Sequence, residues 1–190
     1  MRKLVLLEHV SLDGFVAGPN GEMDWISVDD ELFDYVHPIV ASADTAIFGR
    51  VTYELMQAYW PTAGDSPDAT RHDVEHSRWL NNATKLVFSK TLTAAPWGTS
   101  GSVQLIKDNV ADEVRRIKQQ PGSDLVMIGS ASLARTFMQL GLIDDYRINV
   151  NPVILGGGTR LFPDLDTALG LQLVSSRTLP SGVLALHYTA

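Results

Sequence analysis

Ile47-Phe48-Gly49-Arg50-Val51-Thr52-Tyr53-Glu54 and Leu125-Val126-Met127-Ile128-Gly129-Ser130-Ala131-Ser132-Leu133-Ala134 follow one pattern. Each is an apolar strand that stops at glycine and turns directly into a helical stretch. A helix start presents free N–H groups and partial positive charge, which suits phosphate. Two such corners on one sheet can hold the two ends of a dinucleotide. A nucleotide-dependent enzyme is therefore the expected class.

The elements around these corners alternate. Lys3 to Ser11 is expected to be a strand, ended by Leu12-Asp13-Gly14. Leu32, Phe33, Val36, Ile39 and Val40 share one helical face behind Asp29-Asp30. Thr45 to Phe48 is a strand, and Val51 to Tyr59 a helix ending before Trp60-Pro61. His72 to Asn81 is a short polar helix. Thr84 to Ser89 and Val103 to Ile106 are strands. Val110 to Gln119 is a charged amphipathic helix. Leu125 to Ile128 is a strand, Ser132 to Leu140 a helix, and Tyr146 to Leu155 a β-rich run. Leu171 to Ser176 and Val183 to Thr189 form a hairpin around Pro180-Ser181-Gly182. Alternating strands and helices imply an α/β domain, residues 1–190, with a mostly parallel sheet covered on both faces. The hairpin adds antiparallel strands at the C-terminal end.

Composition narrows the function. The apolar fraction of 45% is ordinary for a folded domain, and no apolar run is long enough for a membrane helix. Met1-Arg2-Lys3-Leu4-Val5-Leu6-Leu7-Glu8 has too short an apolar run for a signal peptide, so a cytoplasmic location is expected. The absence of cysteine excludes disulfides, thiolate metal sites and cysteine nucleophiles. His72 and His76 have i, i+4 spacing but lack a zinc-site pattern. A solvated surface helix is the expected reading there, and no metal is assigned. The net charge of −7 argues against nucleic acid as a partner. A small molecule is the expected ligand.

The candidate residues fall into groups. Gly129, Ser130, Ala131, Ser132 and Leu133 offer close backbone approach, hydroxyls and a helix start. They also read as a βα turn with a serine N-cap. Gly49, Arg50, Val51 and Thr52 are similar. Arginine at a helix start is unfavourable unless it meets an anion, although it also reads as a solvent-facing side chain. Ser89 and Lys90, at a strand end, suit the 2′-phosphate that separates NADP from NAD, or a plain turn. Asn151-Pro152-Val153-Ile154-Leu155-Gly156-Gly157-Gly158 is a strand entering a glycine loop, where close backbone approach to a ligand or partner at Gly156 and Gly157 competes with a plain flexible loop. The acids available for proton delivery are Asp13, Asp24, Asp29, Asp30, Glu31 and Asp34. An apolar cleft would raise the pKa of such a group. Helix capping is the competing role for Asp29 and Asp30. Trp25 is core or a cleft wall.

Taken in order, Ser11-Leu12-Asp13-Gly14 with Ala17 and Trp25, Gly49-Arg50-x-Thr52-Tyr53-Glu54, Ser89-Lys90, Gly129-Ser130-Ala131-Ser132-Leu133 and Pro152-x-x-Leu155-Gly156-Gly157-Gly158 resemble the dihydrofolate reductase-like superfamily. Within it, the chain resembles the RibD C-terminal (riboflavin-biosynthesis reductase) domain family over nearly its whole length. The resemblance implies a three-layer αβα dihydrofolate reductase-like fold, NADPH as cofactor, hydride transfer and a homodimer. It implies that Gly49 to Thr52 hold the cofactor phosphates from one side and that Gly129 to Leu133 wrap the pyrophosphate. Ser89 and Lys90 would lie near the 2′-phosphate, and Ala17 and Gly18 beside the nicotinamide. Asp13 falls to the substrate side, and Asp30 with Trp25 to the catalytic centre. Counting from Trp25 selects Asp30, whereas counting back from Gly49 selects Phe33 or Asp34. Two departures concern substrate. Phe15 stands where riboflavin-pathway reductases carry lysine. Met56-Gln57-Ala58-Tyr59-Trp60-Pro61 replaces their acid-Pro-x-Leu-x-x-Arg segment. The competing reading is a non-catalytic nucleotide-binding or dimeric scaffold of the same fold.

Overall fold

The first strand, β1 (Leu4–Ser11), buries four consecutive apolar side chains, Leu4, Val5, Leu6 and Leu7. A strand apolar on both faces needs cover on both, which a central place in a parallel sheet provides. The computed structural model describes residues 1–98, 101–162, 164–165 and 168–190. The further strands are β2 (Phe15–Ala17), β3 (Ala43–Gly49), β4 (Thr84–Phe88), β5 (Val103–Ile106), β6 (Asp124–Ile128), β7 (Asp145–Asn151), β8 (Thr159–Arg160), β9 (Gln172–Thr178) and β10 (Leu184–Thr189). The helices are α1 (Asp30–Ala41), α2 (Arg50–Ala63), α3 (Arg71–Asn82), α4 (Val110–Lys118) and α5 (Ala131–Gln139).

Eight strands form one sheet in the order β5-β4-β3-β6-β1-β7-β10-β9, while β2 and β8 pair separately. The ladders from β5 to β7 are parallel, and β10 joins β7 and β9 antiparallel. The chain runs from β1 to β3 and β4 in one direction, then from β5 back to β6 and β7. Right-handed crossovers therefore place α1, α2 and α3 on one face and α4 and α5 on the other. Packing agrees. Val5 and Leu7 meet Val36, Ile39 and Val40 of α1. Leu4 and Leu6 share a core with Val114 and Ile117 of α4 and Ala134 and Phe137 of α5. The result is a three-layer αβα domain with an antiparallel C-terminal hairpin.

Two helices depart from the sequence reading. Helix α2 does not stop at Tyr59 but runs to Ala63 with Pro61 inside it. Proline costs a helix bond, but tertiary packing holds this last turn. Trp60 stacks on His76, ring centroids 4.3 Å apart. The Trp60 carbonyl accepts from Ser77 Oγ at 2.7 Å, and the Pro61 carbonyl from Asn81 Nδ2 at 3.1 Å. Helix α3 is not a solvated surface helix. Its start is fixed by a capping box between Thr70 and Asp73. His76 is buried among aromatic rings, and His72 packs on Phe33 at 4.6 Å. The imidazoles serve as neutral rings joining α1, α2 and α3. The β2–β8 ribbon is an addition, pairing Phe15 and Ala17 with Arg160 and Thr159, segments for which the sequence suggested no strand.

Burial holds the pKa of His76 down at about 3 and lowers that of His72. The unfolded chain takes up these protons near the ordinary value of 6.5, and the folded chain only much lower. Stability from this cluster is therefore present above about pH 6.5 and is lost as pH falls toward about 3. The expected slope from His76 is at most about 1.4 kcal/mol per pH unit. Urea unfolding at a series of pH values checks it: His76→Leu flattens the acid side of the stability curve, and an unchanged slope refutes the assignment.

Candidate functional site

Strands β3 and β6 are neighbours, yet α2 leaves β3 on one face and α5 leaves β6 on the other. Such a divergence opens a crevice at the C-terminal ends of the strands. Both glycine corners lie in it. The Gly49 N–H donates to Ser130 Oγ at 2.9 Å, joining the corners directly. Gly129 and Ser130 are consecutive left-handed residues, with φ of 66° and 68°. Ser130 occupies the N-cap of α5, as one reading expected, but its hydroxyl serves Gly49 instead of its own helix. Helix α2 likewise starts at Gly49 without a side-chain cap. Neither helix has an acid in its first turn. Two bare helix starts, each with uncompensated positive charge, thus meet at one place. Thr52 packs beside Gly129: a Cβ on that glycine would stand 3.2 Å from Thr52 Cγ2.

The remaining phosphate-side candidates lie around this junction. Arg50 is exposed and pairs with Glu54 at 2.9 Å, so its charge is met within the helix. Val51 is exposed, Ala131 is buried, and Ser132 and Leu133 lie in the first turn of α5. Gly49 lies opposite Phe88 of β4, so Ser89 stands one residue beyond that pairing. Its Oγ accepts from the Thr91 and Leu92 N–H groups at 3.2 and 3.1 Å. Lys90 beside it is exposed.

On the other side of the crevice Asp13 organises two loops. One oxygen accepts from Ser11 Oγ at 2.7 Å and from the Leu155 N–H at 3.1 Å. The other accepts from the Gly156 N–H at 2.8 Å. The Ser11 hydroxyl, ahead of these backbone donors, holds the carboxyl at about 2. Asp13 therefore carries no proton at neutral pH, and its place among the acids for proton delivery is corrected. The glycine loop is also reinterpreted. Gly156 (φ 74°) has open space where a Cβ would stand, and Gly157 meets only Pro19 Cγ at 4.0 Å. Close approach occurs at Gly158, where a Cβ would lie 2.1 Å from the Ala17 carbonyl oxygen. That approach is to the chain itself. It seats the loop against Ala17 and Gly18.

Trp25 is partly exposed, with Nε1 donating to the Glu22 carbonyl at 3.0 Å. Asp29 caps α1 through the Leu32 N–H at 2.8 Å. Asp30, the next residue, is exposed, and Asp34 is exposed and paired with Arg71 at 2.6 Å. The apolar surroundings expected around a catalytic carboxylate are not found at either. Buried polar groups lie instead on the strands. Glu8 is buried on the α5 face, and burial raises its pKa to about 8. His9, on the α1 face, is half-buried, with its Nδ1 inaccessible, and burial lowers its pKa to about 4. Asn149 and Asn151 on β7 are fully buried. None of the four entered the sequence reading as a site. The signal was available: Glu8-His9 interrupts an apolar strand.

The fold has clear relatives. A Shewanella sp. PV-4 protein provisionally assigned to riboflavin biosynthesis superposes with a TM-score of 0.73 at 23% identity, covering 100% of this chain and 98% of that one. Dihydrofolate reductase from Enterococcus faecalis, solved in complex with NADP(H), gives 0.60 at 15% identity over 98% and 93%. In sequence, protein YyaP of Bacillus subtilis (strain 168) is 36% identical over 191 residues, covering 98% of this chain and 94% of that protein. The model of the RibD C-terminal domain matches residues 2–185, and the chain belongs to that family.

Proposed function

We propose that the chain works as one NADPH-dependent reductase domain acting on a small heterocyclic or carbonyl substrate. The observation that carries this reading is the junction of two uncapped helix starts through Gly49 and Ser130. Family membership supports it, as does the likeness to a dihydrofolate reductase solved with NADP(H).

The phosphates fit at the junction. Val51, Thr52 and Gly129 to Leu133 offer N–H groups and hydroxyls there, Gly49 holds Ser130 in place, and Arg50 stands at the edge, paired with Glu54. Ser89 and Lys90 are placed to meet the 2′-phosphate. Ala17 and Gly18, held by Gly158, border the nicotinamide. When bound, the nicotinamide supplies the hydride. The chain orients donor and acceptor and keeps water out between them. Asp13 acts by pinning Leu155 and Gly156, so that Gly156 and Gly157 keep one wall of the acceptor space in place. Trp25 closes the opposite loop.

We further propose a homodimer. Strand β9 is a sheet edge exposed at every position, Leu173 and Val174 included. Such an edge calls for a partner.

Fluorescence titration with NADPH and NADH tests the cofactor reading. Aspartate tolerates the left-handed conformation of position 129 but sets a carboxylate against the pyrophosphate. Gly129→Asp is expected to weaken NADPH binding by at least ~100-fold, and wild-type affinity in that variant would remove the phosphate assignment. Lys90→Ala is expected to weaken NADPH about tenfold and leave NADH unchanged. Equal losses for both cofactors would remove Lys90 from the 2′-phosphate site. Light scattering of Val174→Lys checks the dimer: a monomer is expected, and an unchanged mass would exclude β9 as the interface.

A further inference from the structure

At the end of the sheet opposite the crevice, charged residues gather under α1. Lys3 precedes β1, Asp124 opens β6 and Asp145 opens β7. Residues two apart on a strand share a face. Lys3, Val5 and Leu7 therefore lie on the α1 face of β1. Across the ladder Val5 stands opposite Asp145 and Leu7 opposite Arg147. On its other side Arg147 stands opposite His187 of β10. Above them α1 ends, and its Pro38, Ile39 and Ser42 complete the lining of a cavity of about 360 Å³.

All but one of the charged side chains facing this cavity are matched. Asp145 is buried. Its Oδ1 accepts from His187 Nε2 at 2.5 Å, and its Oδ2 lies 3.0 Å from Lys3 Nζ. Asp124 accepts from the Lys3 N–H at 2.8 Å. Arg147 is the exception. Its Nε is buried without a partner. Among the described residues no carboxylate pairs with its guanidinium. The end of α1 does not use it either. A helix C-terminus favours cations, but here the helix caps itself. The Ser42 N–H donates to the Pro38 carbonyl at 3.2 Å, and Ser42 Oγ to the Ile39 carbonyl at 2.7 Å. Helix α1 brings no charged side chain of its own to the cavity. A half-buried guanidinium without a counter-charge is a costly arrangement unless an anion completes it.

We propose that this cavity is a second binding site, for a small organic monocarboxylate: the carboxylate meets Arg147, and a short aliphatic tail lies against Val5, Pro38 and Ile39. The guanidinium fork matches a planar carboxylate with two parallel N–H donors. Asp124 and Asp145 border the same space, so a dianion such as phosphate is disfavoured by like charge. The apolar wall is what distinguishes an organic acid from a simple inorganic anion. The site lies at the starts of the strands, whereas the glycine corners lie at their ends. It does not depend on the reductase reading.

The test uses 15N-labelled full-length protein titrated with butyrate as the probe, and with 1-butanol and inorganic phosphate as controls at matched ionic strength. Butyrate is expected to shift the Arg147 Nε–H signal and the Ile39 and Ser42 backbone N–H signals saturably, with a Kd of about 1 mM. Neither control is expected to do so. Arg147→Met is expected to weaken butyrate at least about tenfold. Arg147→Lys, which keeps the charge and loses the fork, is expected to weaken it less. If the methionine variant fails to fold, the wild-type titration still decides. An Arg147 signal that stays put at saturating butyrate would overturn the proposal and leave Arg147 as a solvated side chain. Equal shifts with 1-butanol would reduce the site to an apolar hollow, and stronger shifts with phosphate would replace the organic acid by an inorganic anion. Either result overturns the proposal. So would butyrate shifts confined to Gly129 and Ser130, which would place the carboxylate in the crevice.

Discussion

One hydrogen bond, from the Gly49 N–H to the Ser130 hydroxyl, sets the spacing of the two glycine corners. Ser130 reaches Gly49 from a left-handed conformation, preceded by a left-handed glycine. Backbone strain and the loss of a helix cap are both accepted at this place. The cost of a non-glycine left-handed residue is of order 1 kcal/mol or more, and a missing cap costs a similar amount. The surrounding sheet supplies the compensation, since β3 and β6 are held by a parallel ladder whose central side chains, Ala46, Ile47, Val126 and Met127, are fully buried. The geometry of the corners follows from the core beneath them.

The far wall has a different support. There a single carboxylate, Asp13, replaces regular structure. It gathers a serine hydroxyl and two backbone N–H groups, and so sets the start of the glycine loop against the β1–β2 turn. Gly158 completes the joint by letting that loop touch the Ala17 carbonyl. One wall of the crevice is therefore built by strands and helix starts, and the other by a polar bracket.

The parts legible in the sequence are those governed by local pattern. Apolar runs ending at glycine located β3, β6, the start of α2 and the whole of α5 within a residue or two, and the turn residues at 180–182 located the closing hairpin. What escaped depends on partners distant in sequence. The β2–β8 ribbon exists because Phe15 and Ala17 meet Arg160 and Thr159, a pairing with no local signature. Pro61 stays helical because α3 satisfies the carbonyls around it. His72 and His76 read as solvent-facing because histidine is polar by composition, while three helices turn them into core. In the site, the carboxylates favoured by counting along the chain proved exposed. The buried polar groups sit on strands, where partners across the sheet and not local pattern decide what is covered. Lys85 is the same case: it is fully buried in β4, its Nζ donating to the Leu80 carbonyl at 2.7 Å.

The central place of β1 also shapes the order in which the chain assembles. Strand β1 precedes the other strands of its sheet in the chain and lies between two made much later, and the Lys3 N–H bonds the Asp124 carboxylate across 121 residues. Strands β3, β4 and β5 can pair with one another early, but β3 and β1 are joined only through β6. The sheet stays in two pieces until the chain has extended past β6. Loop closure over such separations slows folding. A growing chain must keep the apolar run Leu4 to Leu7 unpaired for most of its synthesis, with an exposed strand edge that invites association with other chains.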